Sequence, residues 1–402
     1  SVMSINLQQD INTVQEVKEN LVTAQEMANS VNNGTTVILK GHYRSVAAGE
    51  KALIKVNTHI GCSNVRGFRN ELKKLETFAN LGYRPDLMMD LSIIKLNRPL
   101  YEYMIETFGG PVGTVPYYSC YSARTGFDRQ ELLEEIEKQA TSGVSWMVLH
   151  LGVRRDLHEL AQQTRLTPMT ARGGGILIQD MYLNNRNEGI VSELFPEILK
   201  IFKKHGVVLN IGSTFRPANV VDALDQVHVR EMEMFGEYIE EAYKQDVPVI
   251  IGAILGHITL AKINRFVDLI RNKLKYMQPI ETLGPIPTDA AVGEDHISNA
   301  IGAAYSAMLG CSCIINSITR EEHTGRVPDL ESIKEGLKAA RIAAHSVNIS
   351  KFPQLEGISS DNDVIKKRAF NHTCVVEGGL FSDSAQTRFS MGCTRCGREC
   401  PL

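Results

Sequence analysis

Short apolar segments of strand length recur along the chain from residue 53 onward, and stretches with the spacing of amphipathic helices separate them. Strands that alternate with helices form a parallel sheet, because each helix carries the chain back to the end where the next strand begins. Eight or nine candidate strands over roughly 270 residues match a closed (β/α)8 barrel better than an open sheet. The candidates are Ala52–Asn57, Leu87–Ser92, Val112–Tyr118, Met147–Gly152, Val207–Gly212, Val247–Ala253 and Ile314–Ile318, with weaker ones near 175–178 and 280–284.

Helical patterns fill the intervals between these strands. One helix is predicted to begin at Asp128, whose side chain can cap it while Glu131 completes a capping box, and to end before Gly143. Residues 14–28 also have apolar side chains at helical spacing, and Asn-Asn-Gly at 32–34 follows them, which predicts one N-terminal helix that ends in a turn. Two further amphipathic helices are predicted along Ile263–Leu274 and Ile333–Ala344.

Changes in composition divide the chain into four regions. The segment before the first candidate strand is short, and the segment after the last one changes from a helical pattern to a polar sequence interrupted by glycine. We therefore predict an α/β protein in which a barrel is flanked by a small N-terminal region, a C-terminal helical region and a mobile tail. The predicted bounds are 1–52, 53–325 for the barrel, 326–380 and 381–402.

The overall charge and hydropathy exclude several kinds of partner. The chain has 402 residues, a formal net charge of −3 and 43% hydrophobic side chains, which is typical of a globular protein with a large core. A near-neutral balance creates no general attraction to nucleic acid or to an anionic membrane. No apolar run approaches the roughly 18 residues that a membrane span needs. We therefore expect a cytoplasmic protein with neither nucleic acid nor a membrane as a partner.

Three of the eight cysteines, Cys393, Cys396 and Cys400, lie within the last ten residues as C-x2-C-x3-C. Three thiolates at this spacing can hold a [4Fe–4S] cluster that keeps one iron open for a substrate or cosubstrate. A structural zinc site is the alternative, and it needs a fourth ligand, which His372 or Cys374 could supply. The spacing supports both equally, and the position on a tail behind a barrel favours the cluster. With zinc, the chain would be a non-catalytic binding protein.

Four histidines follow predicted strands: His59, His150, His257 and His323. In a (β/α)8 barrel, the carboxyl ends of all strands meet on one face, and that face carries the active site. A single histidine is more often a buried polar residue than a ligand, but four at strand ends favour a shared site. Two of them, completed by water or substrate, could bind a divalent metal such as zinc or iron. Asp289 and Asp295 are further polar candidates, or simply helix caps.

Two segments that contain arginine are candidates for anion binding. Arg172 precedes three consecutive glycines that begin at Gly173, which predicts a glycine-rich turn whose free N–H groups and guanidinium could hold a phosphate. Taken alone, a flexible turn without a ligand is the better interpretation. Ser213 and Arg216 lie in Gly212–Pro217, directly after a strand, where the same two interpretations apply.

The motifs form an ordered series along the chain. It comprises Val56-Asn57-Thr58-His59-Ile60-Gly61, Met89-Asp90-Leu91-Ser92, Gly113-Thr114-Val115-Pro116 with Tyr118, His150-Leu151-Gly152, Arg172-Gly173-Gly174, Gly212 to Pro217, Gly256-His257, Leu283-Gly284-Pro285, Glu322-His323 and the cysteine tail. In this order the motifs resemble the phosphomethylpyrimidine synthase (ThiC) family, from about residue 53 to the end. The whole series is far more specific than any one motif.

The resemblance implies a radical S-adenosylmethionine enzyme built as a domain-swapped homodimer of (β/α)8 barrels. The tail would hold a [4Fe–4S] cluster over the partner's active site. There, with an electron from an external donor, S-adenosylmethionine would yield a 5′-deoxyadenosyl radical that rearranges 5-aminoimidazole ribotide. Transferred by position, the cluster ligands are Cys393, Cys396 and Cys400, the ligands of a second metal are His257 and His323, and the substrate contacts are Met89, Tyr118, His150, Arg172, Gly173, Ser213 and Arg216.

The chain departs from the family pattern at several positions. The second cysteine gap is one residue shorter, and the glutamate of the family's Glu-Gly-Pro-Gly-His is missing before His257. His59 replaces an asparagine and Glu281 replaces a substrate-contacting tyrosine, so we predict that these two residues act in catalysis and redirect the radical. The pattern resembles the branch that makes 5-hydroxybenzimidazole, a precursor of a vitamin B12 lower ligand. The alternative is the 4-amino-5-hydroxymethyl-2-methylpyrimidine phosphate synthase of thiamin biosynthesis.

Overall fold

A closed barrel of parallel strands forms the centre of the molecule. The computed structural model describes residues 5–355, 360–376, 378–381 and 395–402. The strands in these residues are β1 (Thr36–Leu39), β2 (Val46–Gly49), β3 (Lys55–Ile60), β4 (Leu87–Asp90), β5 (Val112–Thr114), β6 (Trp146–His150), β7 (Val208–Gly212), β8 (Val249–Gly252), β9 (Ile280–Thr282) and β10 (Ile314–Asn316). β3 to β10 close the barrel in chain order, and β1 and β2 form a separate antiparallel pair. The predicted (β/α)8 barrel is therefore confirmed.

Helices surround the barrel and form both terminal regions. The described helices are α1 (Ile5–Thr13), α2 (Gln15–Lys18), α3 (Ala24–Asn32), α4 (Phe68–Ala79), α5 (Leu100–Phe108), α6 (Arg129–Ser142), α7 (Arg155–Thr164), α8 (Arg172–Leu183), α9 (Ile190–Glu193), α10 (Phe195–His205), α11 (Gln226–Lys244), α12 (Leu260–Val267), α13 (Asp295–Met308), α14 (Leu330–Lys351) and α15 (Ser360–Asn371). A π-helical turn, Asp268–Lys273, extends α12. In the part of the chain that the structure describes, none of the helices combines the length and the apolar character of a membrane span.

The strand pattern identified β3 to β10 correctly, with one false candidate. The segment near 175–178 lies inside α8, where Ile176, Leu177 and Ile178 are all buried. A short apolar run of this kind is the same in a buried helix as in a strand, so periodicity could not separate them. The glycine-rich turn predicted at Arg172 is wrong for a related reason, because Arg172 is the first residue of α8 and Gly173 lies in its first turn.

The N-terminal region contains three short helices in place of the single helix predicted over residues 14–28. Thr23 begins a new helix, because its side chain accepts a hydrogen bond from the N–H of Glu26 at 3.1 Å and its own N–H donates to the Glu26 carboxylate at 3.0 Å. Asn20 has a left-handed backbone (φ 58°) just before this cap. These local features divide the apolar pattern that suggested one helix.

The predicted cap of α6 is confirmed, although half of its capping box is absent. The Asp128 carboxylate accepts a hydrogen bond from the N–H of Glu131 at 2.8 Å, and Gly143 ends the helix in the left-handed conformation. The Glu131 carboxylate forms an ion pair with Lys95 at 2.5 Å. The Glu131 side chain, which was expected to complete the capping box, therefore contacts another part of the chain instead.

Strand register determines which side chains face the interior of the barrel. Nδ2 of Asn210 on β7 donates to Oε1 of Glu281 on β9 at 3.4 Å, across the intervening strand at Gly252. A Cβ at Gly252 would collide with the Asn210 amide, so both polar side chains point inward over this glycine. Paired residues of parallel strands project to the same face. The interior set therefore includes Asn57, His59, Leu87, Met89, Gly113, Trp146, Val148, His150, Val208, Asn210, Gly212, Ile250, Gly252, Glu281, Ile314 and Asn316.

The N-terminal region closes the amino end of the barrel. Lys55 at the start of β3 is buried and forms an ion pair with the carboxylate of Glu16 on α2, and its Nζ also donates to the Leu53 carbonyl at 3.1 Å. The Glu16 carboxylate accepts a second hydrogen bond from the N–H of Leu53 at 2.8 Å. Apolar residues of this region pack into a small core of their own with Phe352, just after α14. The loops that follow the strands lie at the opposite end, where the predicted site residues meet.

Candidate active site

Two arginines, a tyrosine and a helix start lie close together, and we call this group the anion cradle and define it as Tyr118, Arg172, Gly173 and Arg216. The guanidinium carbon of Arg172 lies 5.5 Å from the centroid of the Tyr118 ring. The Tyr118 hydroxyl accepts a hydrogen bond from the N–H of Gly173, and the charges of Arg216 and Arg172 both act on it. Burial raises the pKa of Tyr118, so this residue is a neutral hydrogen-bonding group near pH 7.

The start of α8 adds backbone N–H groups to the anion cradle. Ala171 is the N-cap of this helix and its side chain caps none of the first N–H groups. The N–H of Gly173 donates to Tyr118, and the positive end of the helix dipole lies at the carboxyl end of the barrel. Glycine is required here by close packing. A Cβ on Gly173 would collide with the His150 ring, and a Cβ on Gly174 would collide with Thr214. Gly173 and Gly174 thus let the helix start pack closely against β6 and the loop after β7.

The loop after β7 is held by a buried carboxylate from a surrounding helix. Glu231 on α11 accepts hydrogen bonds from Oγ of Ser213 at 2.5 Å, from the N–H of Thr214 at 2.8 Å and from the N–H of Phe215 at 2.9 Å. The Ser213 hydroxyl is therefore engaged in holding the loop, and its side chain is fully buried. Arg216 follows at the end of this loop, half-buried beside Tyr118. Burial lowers the pKa of Arg216, yet an arginine stays charged near neutral pH.

His150 is an uncharged ring at the centre of the site. Its Nδ1 is hydrogen-bonded to the hydroxyl of Tyr117, which also accepts a hydrogen bond from the N–H of His150 at 3.0 Å. Burial, followed by the positive charge of Arg216, lowers the pKa of His150 to about 3. The imidazole is consequently neutral in any physiological buffer. Since Nδ1 is engaged by Tyr117, Nε2 is the ring nitrogen left for a ligand.

His257 and His323 form a pair in which each ring is oriented by a carboxylate. Their ring centroids lie 5.0 Å apart. Nδ1 of His257 is 2.5 Å from Oδ1 of Asp289, and Nδ1 of His323 is 2.9 Å from Oδ2 of Asp295. Carboxylates that hold Nδ1 in this way direct Nε2 toward a metal. The two acids thus hold the histidines in place and are not merely caps.

This pair does not by itself make a complete metal site. Across the residues described, no group of three or more histidine, cysteine, aspartate or glutamate side chains is arranged to hold a metal ion. A divalent ion bound by His257 and His323 would take its remaining ligands from water or from a substrate.

His59 lies inside the barrel mouth among charged groups. Its register partner on β4 is Met89, which is buried and faces the same interior. The His59 ring is open to solvent at the mouth, although protein atoms crowd around it. That crowding lowers the pKa of His59, and the carboxylates of Glu322 and Glu71 partly oppose the effect. The neutral form of the His59 imidazole is therefore favoured.

Glu281 is the buried acid of the interior. Its carboxyl is 4% exposed, and Asn210 and Asn316 both hydrogen-bond to it. Burial raises the pKa of Glu281 to about 7, while those hydrogen bonds and the charge of Arg216 partly offset the effect. A carboxyl of this kind is protonated in part of the molecules at neutral pH and can give or take a proton. Its proximity to Arg216 connects the interior to the anion cradle.

The cysteine tail is described only in part. Cys396 and Cys400 are exposed free thiols on either side of a short 3-10 turn, Gly397–Glu399. Cys393 lies outside the described residues. The suggested fourth zinc ligands, His372 and Cys374, are likewise exposed. The assignment of the three cysteines to a cluster stays a prediction.

The structure brings most of the predicted barrel residues into one end of the molecule and adds others that sequence patterns did not reveal. Tyr117 was missed beside Tyr118, because only the tertiary contact with His150 distinguishes the two tyrosines. Asn210 and Asn316 were missed because a polar residue within a short apolar strand has no periodic signal of its own. They could have been found as polar side chains at positions of the barrel strands that face inward. Those positions are known only when the strand register is known.

Similarity to known proteins supports one family for the whole chain. The model of the radical SAM ThiC family matches residues 4–402. A phosphomethylpyrimidine synthase from Carboxydothermus hydrogenoformans is 35% identical over 77% of this chain and 72% of its own length. The 5-hydroxybenzimidazole synthase BzaA from Eubacterium limosum is 31% identical over 95% of this chain and 92% of its own. Among solved structures, a dihydropteroate synthase from Xanthomonas albilineans covers 77% of this chain and 98% of its own, with a TM-score of 0.44 and 10% identity.

A family match over almost the entire sequence, together with relatives above 30% identity that cover most of it, determines the assignment. The ordered motifs that resembled this family are thereby explained. The chain belongs to the radical SAM ThiC family.

Proposed function

We propose that this chain is a radical S-adenosylmethionine enzyme that converts 5-aminoimidazole ribotide to 5-hydroxybenzimidazole. The family assignment and the 5-hydroxybenzimidazole synthase among its relatives support this proposal. The observation that carries it is the Glu281 carboxyl inside the barrel, whose pKa burial raises to about 7. A group that exchanges a proton near neutral pH beside a bound substrate can decide which intermediate is protonated, and so which product forms.

The anion cradle suits the phosphate of a ribotide. Arg172 and Arg216 provide two positive charges, and the start of α8 provides the N–H groups that follow them. Charge-assisted hydrogen bonds from guanidinium and from a helix start are the usual means by which proteins hold phosphate. His150, being neutral, can offer Nε2 to the sugar or base without adding a charge.

The metals implied by the family fit the donors that the structure describes. Cys396 and Cys400 are accessible thiols at a chelating spacing, and Cys393 would be the third ligand of a [4Fe–4S] cluster. His257 and His323 would hold a second, divalent metal through Nε2. The chemistry supplied by a bound cluster with S-adenosylmethionine is the reductive formation of a carbon-centred radical. Within that reaction, the residues of the barrel bind the phosphate, orient the base and move a proton at Glu281.

A second candidate is the synthesis of 4-amino-5-hydroxymethyl-2-methylpyrimidine phosphate from the same ribotide. The relative with 35% identity is a phosphomethylpyrimidine synthase, which favours this reaction equally. In that case Glu281 and His59 would be tolerated replacements that leave the fate of the radical unchanged. From the family resemblance we also infer a homodimer in which the tail reaches the partner's barrel, an external electron donor and a cytoplasmic location.

The decisive experiment is anaerobic turnover of the reconstituted protein with S-adenosylmethionine and 5-aminoimidazole ribotide, with products identified by mass spectrometry. We expect 5-hydroxybenzimidazole together with 5′-deoxyadenosine. A phosphorylated pyrimidine would contradict the proposal and support the thiamin reaction. Bound zinc without iron and sulfide, with no cleavage of S-adenosylmethionine, would favour a non-catalytic binding protein instead.

A further inference from the structure

Four polar side chains from four different strands meet inside the barrel, and we call them the acceptor cluster: Asn57, Asn210, Glu281 and Asn316. Each is buried, with at most 7% of its surface exposed. Asn57 donates to Asn316 at 2.6 Å, and Asn210 donates to Glu281 at 3.4 Å. A barrel interior is usually filled by apolar side chains, so a polar set of this size requires a reason.

The hydrogen bonds of the cluster determine which way its amides face. Nδ2 of Asn316 donates to the backbone carbonyl of Thr282 at 2.9 Å, which fixes Oδ1 of Asn316 as the acceptor for Nδ2 of Asn57. The donor groups of Asn57 and Asn210 are thus directed at neighbours within the cluster. The buried side-chain atoms of the cluster that have no partner at all among the described residues are all oxygens.

Three of these oxygens are buried and have no hydrogen-bond partner among the residues that the structure describes: Oδ1 of Asn57, Oδ1 of Asn210 and Oε2 of Glu281, which is an acceptor when the carboxyl is ionised. A buried acceptor without a partner destabilises the protein, by roughly 1–3 kcal/mol for each group. A set of unpaired acceptors inside a binding site is therefore matched by a ligand that carries N–H or O–H donors. A cation is disfavoured, because the positive charge of Arg216 acts on the same carboxyl.

The acceptor cluster and the anion cradle belong to one site with two chemically different ends. Arg216 belongs to the cradle and interacts electrostatically with Glu281 of the cluster. Gly252 leaves the space in which the Asn210 amide reaches Glu281. A ligand that fits both ends has a phosphate at one end and several N–H donors at the other.

We propose that Asn57, Asn210 and Glu281 bind the N–H groups of an amino-substituted nitrogen heterocycle, and that the acceptor cluster selects for the amino group. The identity of that heterocycle as the base of 5-aminoimidazole ribotide rests on the proposed function. Asn316 is a positioning residue, since it holds Asn57 and Glu281 but keeps no free acceptor of its own. In this arrangement the phosphate supplies affinity and the acceptor cluster supplies specificity.

Equilibrium binding to the full-length protein under anaerobic conditions tests the proposal. The ligands are 5-aminoimidazole ribotide, imidazole ribotide, which lacks the amino group, and ribose 5-phosphate. Trp146 is the single tryptophan of the chain and lies buried in the interior against Gly113, so its fluorescence reports binding alongside calorimetry. We expect the wild-type protein to bind the amino ribotide about tenfold more tightly than the analogue, as for one or two buried hydrogen bonds.

The variants separate the two ends of the site. Asn210→Leu keeps the size of the side chain but removes the acceptor, and is expected to reduce the tenfold preference to about threefold or less with unchanged affinity for ribose 5-phosphate. Arg172→Ala is the matched control, because it is expected to weaken all three ligands by a common factor and leave the preference intact. Should Asn210→Leu not fold, Gly252→Ala displaces the same amide by collision and is measured in the same way.

Failure of this proposal is distinguishable from failure of the proposed function. A wild-type preference that is lost in Asn210→Leu supports the acceptor cluster even if turnover yields neither expected product. If the protein turns over 5-aminoimidazole ribotide but binds both ribotides equally, the proposed role of the acceptor cluster is wrong and the proposed reaction is still supported. If Asn210→Leu and Gly252→Ala both keep the full preference for the amino ribotide, the proposed role of the acceptor cluster is also wrong. Internal water would then be the partner of the unpaired oxygens of the cluster.

Discussion

Replacing Glu281 by glutamine removes a buried proton-binding group while keeping its size and its hydrogen-bonding partners. The carboxyl is 4% exposed and is surrounded by Asn210, Asn316 and Arg216. Burial disfavours its charged form more than those neighbours favour it, so its pKa rises to about 7 from the ordinary value of 4.5. The substitution therefore changes how the stability of the protein depends on pH.

The difference between these two pKa values corresponds to about 3 kcal/mol, at roughly 1.4 kcal/mol for each pH unit. In the folded protein Glu281 holds its proton more tightly than in the unfolded chain. The stability that the protonated group contributes is therefore complete below pH 4.5 and is lost as the pH rises through about 7. Between about pH 5.5 and 8 the free energy of unfolding of the wild-type protein is expected to fall by about 2 kcal/mol more than that of Glu281→Gln.

Urea unfolding of the metal-free protein at several pH values, followed by circular dichroism, measures this difference. Only the difference in the free energy of unfolding between the wild-type protein and Glu281→Gln is interpreted, because every other titrating group is common to both. Parallel curves for the two proteins would refute the reasoning and show that Glu281 has an ordinary pKa. A gap of the opposite sign would show that Arg216 keeps the carboxylate charged.

Three further substitutions test the rest of the site. Gly173→Ala places a methyl group against the imidazole that lines the pocket and is expected to weaken binding of ribose 5-phosphate about tenfold, as measured by calorimetry. Gly175→Ala, whose Cβ would meet no atom of the described residues within 4 Å, is expected to bind normally, so equal losses would contradict a packing requirement at Gly173. Cys396→Ala is expected to abolish 5′-deoxyadenosine formation and to lower the amount of bound iron. Cys374→Ala removes another exposed thiol and is expected to retain both properties. Full activity of Cys396→Ala would exclude Cys396 as a cluster ligand. His257→Ala is expected to weaken binding of a divalent metal at least about tenfold without altering cluster iron, and an unchanged titration would exclude it as a ligand.

The barrel was predictable because its signals are local. Each strand is a short apolar run, and α6 begins and ends at residues whose side chains or backbone produce caps without help from the rest of the chain. Where two local structures share one pattern, prediction failed, as in α8, whose buried Ile176 and Leu177 also suit a strand. The ordered motifs then indicated the family, and the family model confirms it.

The amino-acid sequence by itself determined the alternation of strands and helices, the family, and many of the polar residues that gather in the barrel, although not Asn210 or Asn316. Only the tertiary structure decided which of these residues touch. Asn57 and Asn316 are separated by 259 residues along the chain, and Asn210 and Glu281 by 71, yet each pair is hydrogen-bonded inside the barrel. Such contacts depend on strand register, and the raised pKa of Glu281 depends on burial by the whole barrel. Register and desolvation arise from the packing of distant segments, so no local pattern encodes them.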